Sequence, residues 1–139
     1  IIKIAKEKKY KSILILEDDI EFTDKLLTFG DYYTSAPEKY DMIWLGGNHN
    51  LHMGKTLNKV NDKIIKLHST YATHAVVINE SMYDVILQLL VKKQKPIDVY
   101  YCDLQKSFEC YGLYPNIAIQ RASFSDIENK HMDNRWLFK

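Results

Sequence analysis

Ser12 to Phe22, SILILEDDIEF, joins four consecutive aliphatic residues, Ile13, Leu14, Ile15 and Leu16, to three consecutive acids, Glu17, Asp18 and Asp19. A short, uninterrupted aliphatic run reads as a strand buried on both faces of a parallel sheet. The expectation is therefore a central strand over residues 12–17, parallel to the next strand in the chain. Three adjacent carboxylates repel one another, and taking them out of water costs on the order of several kcal/mol per ion without compensation. The acids therefore face solvent, or they meet a cationic partner supplied from elsewhere.

Outward from this stretch, strand and helix signals alternate. Thr23 reads as the N-cap of a helix from Asp24 to about Thr34, closed by the turn around Pro37. DMIWLGG, residues 41–47, is the second strand, and Gly46 with Gly47 permits a tight exit. Residues 48–62 are polar and read as a long loop. KIIKLH (63–68) and YATHAVVI (71–78) read as two short strands. Ser81 followed by Asp84 approximates a capping box, and the helix it opens should bury Met82, Val85, Ile86, Leu89 and Leu90 before Pro96 stops it. A further helix is expected from Val99 to about Glu109 with Asp98 as its cap. LYPNIAIQ is a turn into a last strand, and the polar tail reads as irregular. The pattern is α/β.

Composition narrows the function classes. The 139 residues suffice for one domain with its own core. Nineteen basic and eighteen acidic residues leave a net charge of +1, which gives no argument for nucleic acid or membrane as a partner. No apolar run approaches the roughly 20 residues of a membrane span. Cys102 and Cys110 lack zinc-type spacing and read as free thiols, which favours a reducing compartment. The chain opens at Ile1 inside a basic amphipathic segment, IIKIAKEKKYK, as expected of a piece cut from a longer protein.

In open α/β sheets ligands bind beyond the carboxyl ends of the strands. Glu17, Asp18 and Asp19 belong at such an end, and so do Gly46 and Gly47, which makes the glycines candidate substrate-binding residues. Carboxylates there are hard oxygen ligands suited to magnesium or manganese. The competing reading is that the acids only solvate a strand end. His74, on an alternating strand, reads as a structural histidine.

A set of motifs in order adds a family resemblance. SILILEDDIEF resembles the acidic motif of glycosyltransferase family 25, which includes lipooligosaccharide and procollagen galactosyltransferases. YDMIWLGG is similar to the family's second strand, YATHAVVINESMYDVILQLL to its strand-and-helix block, KPIDVYYCDL to its Pro-x-Asp segment, and LYPNIAIQRASFSDIE to its terminal segment. The resemblance covers nearly the whole chain. It implies a GT-A-like, Rossmann-like mixed sheet flanked by helices, with the N-terminal nucleotide-binding portion missing. It also implies hexose transfer from a UDP-sugar, galactose or glucose, to a saccharide or glycoprotein acceptor with inversion. Manganese, or magnesium, would be held by Asp19 with Glu17 or Asp18. Asp98 matches the acid of the Pro-x-Asp segment and is the candidate base, with Asp103 as the alternative. The resemblance adds His131 as a late metal-ligand candidate and Gln120, Ser125 and Asp126 as substrate-binding candidates. Bacterial members work on the cytoplasmic side and animal members in the endoplasmic reticulum lumen; the free cysteines lean toward the former. Two other functions compete. A metal-dependent phosphoesterase would need a second His/Asp cluster. A non-catalytic carbohydrate-binding or structural remnant would use Trp44, Tyr71 and Tyr101 as sugar platforms.

Overall fold

The structure, a computed structural model, describes residues 1–92, 94–125 and 129–138. Its strands are β1 (Ser12–Leu16), β2 (Ile20–Phe22), β3 (Met42–Trp44), β4 (Asn58–Lys59), β5 (Ile64–Lys66), β6 (Ala75–Asn79), β7 (Cys110–Leu113), β8 (Ala118–Gln120), β9 (Ser123–Ser125) and β10 (Lys130–Met132). Its helices are α1 (Ile2–Glu7), α2 (Phe29–Thr34), α3 (Tyr83–Lys92) and α4 (Ile97–Leu104). A six-stranded mixed sheet has the order β1-β6-β3-β7-β5-β4, and β2–β8 and β9–β10 form separate two-stranded ribbons. The α/β expectation holds at this level: a mixed sheet flanked by helices, compatible with a Rossmann-like fold.

Side-chain alternation along the strands builds two cores. Met42, Trp44, Val76 and Ile78 face α1, α3 and α4, where they meet Ile2, Ala5, Met82, Tyr83, Ile86, Tyr101 and Leu104. Ile43, Leu45, Ala75 and Val77 face the other way, onto Tyr32 of α2 and onto Ile117 and Ala118. This period-two division makes the middle of the sheet two-sided and dry.

The position expected for β1 is overturned. It lies at the edge of the six-stranded sheet, antiparallel to β6, with Ser12 opposite Asn79 and Leu16 opposite Ala75. β3 is also antiparallel to β6, so β1 and β3 run the same way, but β6 separates them. Ile13 and Ile15 pack inward, while Leu14 and Leu16 stay 46% and 44% exposed. The physical reason is that an unbroken aliphatic run reports only that neither face is polar. It does not encode how many strands lie on each side.

Several local expectations shift as well. Thr23 does cap, accepting from the Lys25 N–H at 3.3 Å, but the segment divides into a 3-10 turn (Asp24–Thr28) and α2. The capping box at Ser81 is replaced: Asn79 Oδ1 accepts from the Ser81 N–H at 3.2 Å, Ser81 Oγ donates to Asp41 at 2.7 Å, and Asp84 pairs with Lys6 of α1. On that helix Met82 and Ile86 are buried and Val85 and Leu89 partly so, but Leu90, at the margin of the apolar stripe, is exposed. Helix α4 starts earlier than expected, at Ile97 with Pro96 as its N-cap, so Asp98 lies inside its first turn. It also ends at Leu104, well before Glu109. The stretch 48–62 contains a 3-10 turn (Leu51–Met53) and β4, and the tail expected to be irregular contains the β9–β10 ribbon. Cys102 and Cys110 are buried and unbridged.

Candidate functional site

β6 is antiparallel to β1, so the residues that precede β6 lie beside the acids at the end of β1. The Glu17 N–H donates to the His74 carbonyl at 2.9 Å, and Thr73 Oγ1 donates to Glu17 Oε1 at 2.6 Å. Burial pushes the Glu17 carboxyl up from its ordinary value; the Thr73 hydrogen bond opposes this, and Asp19, Asp18 and Asp98 add repulsion in the same direction as burial. The charge of Asp98, which comes from α4 and lies far away in sequence, is felt at Glu17 as the weakest of these contributions. Its Oδ1 accepts from the neighbouring Val99 N–H at 2.8 Å.

The β2–β8 ribbon supplies the other wall. Ile20 opposes Gln120, so the residue before β2, Asp19, meets the end of β8. Gln120 Nε2 donates to Asp19 Oδ2 at 3.4 Å, and the Arg121 N–H donates to the Asp19 carbonyl at 2.9 Å. Arg121 is the cation that the fold brings here, yet its Nη2 reaches the Asp18 carbonyl, at 3.4 Å, rather than a carboxylate. Asp18 is exposed. Asp19 Oδ1 is buried and has no hydrogen-bond partner. Such an orphaned acceptor costs roughly 1–3 kcal/mol unless something donates or binds to it.

The remaining candidates separate into distinct environments. Gln120 joins the cluster, as described. Asp103 lies on an exposed face of α4 between Lys95 and Lys106, both at 2.9 Å, and their hydrogen bonds hold its carboxyl below its ordinary value. A base so paired is poorly placed to take a proton. Gly46 and Gly47 are both buried. A Cβ on Gly46 would stand 1.8 Å from the Ala118 carbonyl oxygen, because Leu45 accepts from the N–H groups of Ile117 and Ala118 at 2.8 and 3.1 Å. A Cβ on Gly47 would stand 2.4 Å from Thr70 Cγ2. Close packing accounts for both glycines. His131 lies exposed on β10, opposite Phe124. Ser125 ends β9, and Asp126 lies outside the described residues.

Two of the suggested sugar platforms are closed to a ligand. Trp44 is fully buried, with Nε1 donating to the Ala72 carbonyl at 2.9 Å, and its ring meets that of buried Tyr101 edge-on at 6.2 Å. Tyr71 alone of the three is exposed. Sequence reasoning passes over Thr73 and gives His74 only a structural role. Both adjoin the acids solely because β6 runs antiparallel to β1, and pairing of that kind leaves no local signal.

A second polar group lies deeper, beyond the end of β3. His49 and Asn116 are buried, and Asn116 Oδ1 accepts from His49 Nε2 and from the Gly47 N–H, each at 3.1 Å. Its Nδ2 donates to the carbonyls of Gly47 and Phe138 at 3.2 and 2.9 Å. Thr70 Oγ1 meets His49 Nδ1 at 2.9 Å, and Gln105 closes both backbone groups of Thr70 at 2.8 and 2.7 Å.

No model of a known protein family matches this chain, and no curated protein matches it. No helix among the described residues is long and apolar enough to cross a membrane.

Proposed function

We propose that this chain is the acid-bearing portion of a metal-dependent glycosyltransferase domain of GT-A type, which moves galactose or glucose from a UDP-sugar to a saccharide or glycoprotein hydroxyl. The observation that supports this most is the unpaired, buried Asp19 Oδ1 at the carboxyl end of β1, beside a half-buried Glu17 that is costly to ionise. A divalent cation removes both costs at once. Among the described residues, no three His, Cys, Asp or Glu side chains converge where they could hold a metal ion. That fits the chemistry of magnesium and manganese in nucleotide sites, where one or two carboxylates suffice and phosphate oxygens and water complete the shell. Asp19 and Glu17 would hold the ion. When bound, it supplies Lewis-acid stabilisation of the charge that collects on the departing diphosphate.

The chain's own residues perform the rest. Thr73 fixes the Glu17 carboxylate, Gln120 fixes Asp19, and the backbone pairing of Arg121 with Asp19 sets the ribbon against the strand end. Asp98 would accept the proton of the acceptor hydroxyl as that oxygen bonds to the anomeric carbon and the bond to phosphate breaks. The two lysines that pair with Asp103 and hold it below its ordinary value favour Asp98 for this role. The free cysteines favour work on the cytoplasmic side over the endoplasmic reticulum lumen.

The test is thermal unfolding with manganese, with UDP, and with both, of the 139-residue chain and of a form extended at its N-terminus to restore the nucleotide-binding portion. At tenfold the dissociation constant, binding should raise the midpoint of the extended form by about 5 °C, Asp19→Asn should remove the rise, and the 139-residue chain should respond weakly or not at all. No metal-dependent shift in the extended form, or the same shift in its Asp19→Asn variant, would overturn the proposal.

A further inference from the structure

Consecutive residues ahead of β6, Thr70 to Thr73, are each tied to a different part of the molecule. Gln105 closes both backbone groups of Thr70 at 2.8 and 2.7 Å. Tyr71 exchanges backbone hydrogen bonds with Asn48, beyond the end of β3, each at 3.0 Å. The Ala72 carbonyl accepts from the Trp44 indole at 2.9 Å, and the Thr73 hydroxyl donates to Glu17 at 2.6 Å. Within this run Ala72 has a φ of 74°, in the left-handed region that an alanine enters only at a steric cost. Strain of that kind persists where the surroundings over-determine the backbone, and it collects at ligand clamps and active sites.

The strained turn presents Tyr71. Thr70 on one side is buried, whereas Tyr71 is 37% exposed. Its hydroxyl and the Cys102 thiol of α4 are hydrogen-bond partners. Asp98 lies four residues before Cys102 on that helix, so the two share one face, a single turn apart. Tyr71 therefore runs from the segment that holds Glu17 to the face of α4 that carries Asp98. A ring anchored at its backbone and at its hydroxyl keeps an apolar surface in one place, so little freedom is lost when a ligand stacks on it. A hexose ring carries C–H groups on one face and hydroxyls around its rim, which suits an aromatic surface beside a carboxylate. A nucleobase would stack as well, but it brings no hydroxyl for Asp98.

We propose that Tyr71 is a positioning residue for the acceptor: the apolar face of a sugar ring stacks on it and turns a hydroxyl toward Asp98. The inference rests on the proposed transfer reaction and deepens it, since it makes the acceptor a sugar ring rather than an amino-acid side chain.

The experiment is saturation-transfer NMR on the 139-residue chain, with lactose as the probe saccharide and uridine as the competing ring. Saturation should pass to the C–H protons on one face of a lactose ring. Tyr71→Ala should weaken that contact several-fold, and Tyr71→Phe, which keeps the ring, should retain most of it. Ala72→Gly places a glycine where the backbone favours one, so the melting midpoint should hold or rise while the lactose contact weakens. If Tyr71→Ala does not fold, as judged by circular dichroism, Ala72→Gly decides the question. Asp19→Asn should leave the lactose contact unchanged, so the platform and the cation site fail separately. No lactose contact in the wild type, or contact at wild-type strength in folded Tyr71→Ala, would overturn the inference. Contact with uridine alone, removed by Tyr71→Ala, would overturn it by giving the ring to the nucleotide.

Discussion

Two polar clusters lie near the carboxyl ends of the strands, and they differ in how their demands are met. Around Asn116, the His49 ring, the Thr70 hydroxyl and both groups of the Asn116 amide have protein partners, so the network is closed. Around Asp19, burial and the neighbouring carboxylates raise the cost of ionising Glu17, and an acceptor on each of Asp19 and His74 is left over. A satisfied buried network holds a fold, because each missing partner exposes the cost of the others. An unsatisfied one holds a place for something else. The first cluster is closed architecture, and the second is the one on which the proposed function rests.

Asn116→Ala should break the comparison most severely. It strips partners from the Gly47 N–H, the Gly47 and Phe138 carbonyls and His49 at once, and the expected loss is roughly 3–5 kcal/mol by urea unfolding. A loss below about 1 kcal/mol would mean that water replaces the amide and the network is not structural.

The next largest effect is pH-dependent. Burial lowers His49 from 6.5 to about 4 in the folded state. Between those pH values the unfolded chain binds the additional proton, so stability is fully present above pH 6.5 and falls by about 3 kcal/mol toward pH 4. Burial also lowers His74, which acts in the same direction. Glu17 acts in the opposite sense. Its carboxyl is raised in the folded state, so its cost is absent below the unfolded value and develops as pH rises through the folded one. Urea midpoints from pH 7.5 to 4 should therefore fall in the wild type and fall less in His49→Gln. In Glu17→Gln the fall should be steeper, because the relief on acidification is gone.

At neutral pH, substitutions in the open cluster should be mild. Asp19→Asn and Glu17→Gln remove charge while keeping shape, and each should change stability by less than about 1 kcal/mol, toward stabilisation. A loss comparable to that of Asn116→Ala would make the acids structural. The smallest effect is expected at Asp103, which pairs with two lysines in open solvent. Asp103→Asn should leave the melting curve and the manganese response unchanged, whereas a lost metal response would move the site onto α4's outer face.

Much of the fold was legible because local rules and tertiary demands agreed. Thr23 caps the turn that begins at Asp24, Met82 and Ile86 mark the buried stripe of α3, and alternation divides Met42 and Trp44 from Ile43 and Leu45. Where they disagreed, the reason is a specific competitor. Ser81 gave up its cap because Asp41 offered its hydroxyl a carboxylate, and Asn79 took over. Asp98 resembled a cap because acids favour the first helical turn as well as the position before it. The glycines after β3 resembled a ligand loop, since a glycine required by another backbone and one required by a ligand look alike in sequence.

By itself the sequence determined the alternation of strand and helix, the apolar strips that build both cores, and the run of carboxylates at the end of β1. Periodicity and composition act within a few residues, and these features are local. Only the tertiary structure decided that β1 is an edge strand, that Thr73 and His74 stand against Glu17, that the charge of Asp98 is felt at Glu17 while Asp103 faces solvent, and that Asp19 and His74 each hold an unpaired acceptor. Those facts depend on which strand pairs with which, and in what direction. Non-local pairing is chosen by the free energy of the whole sheet, which no short stretch of sequence carries.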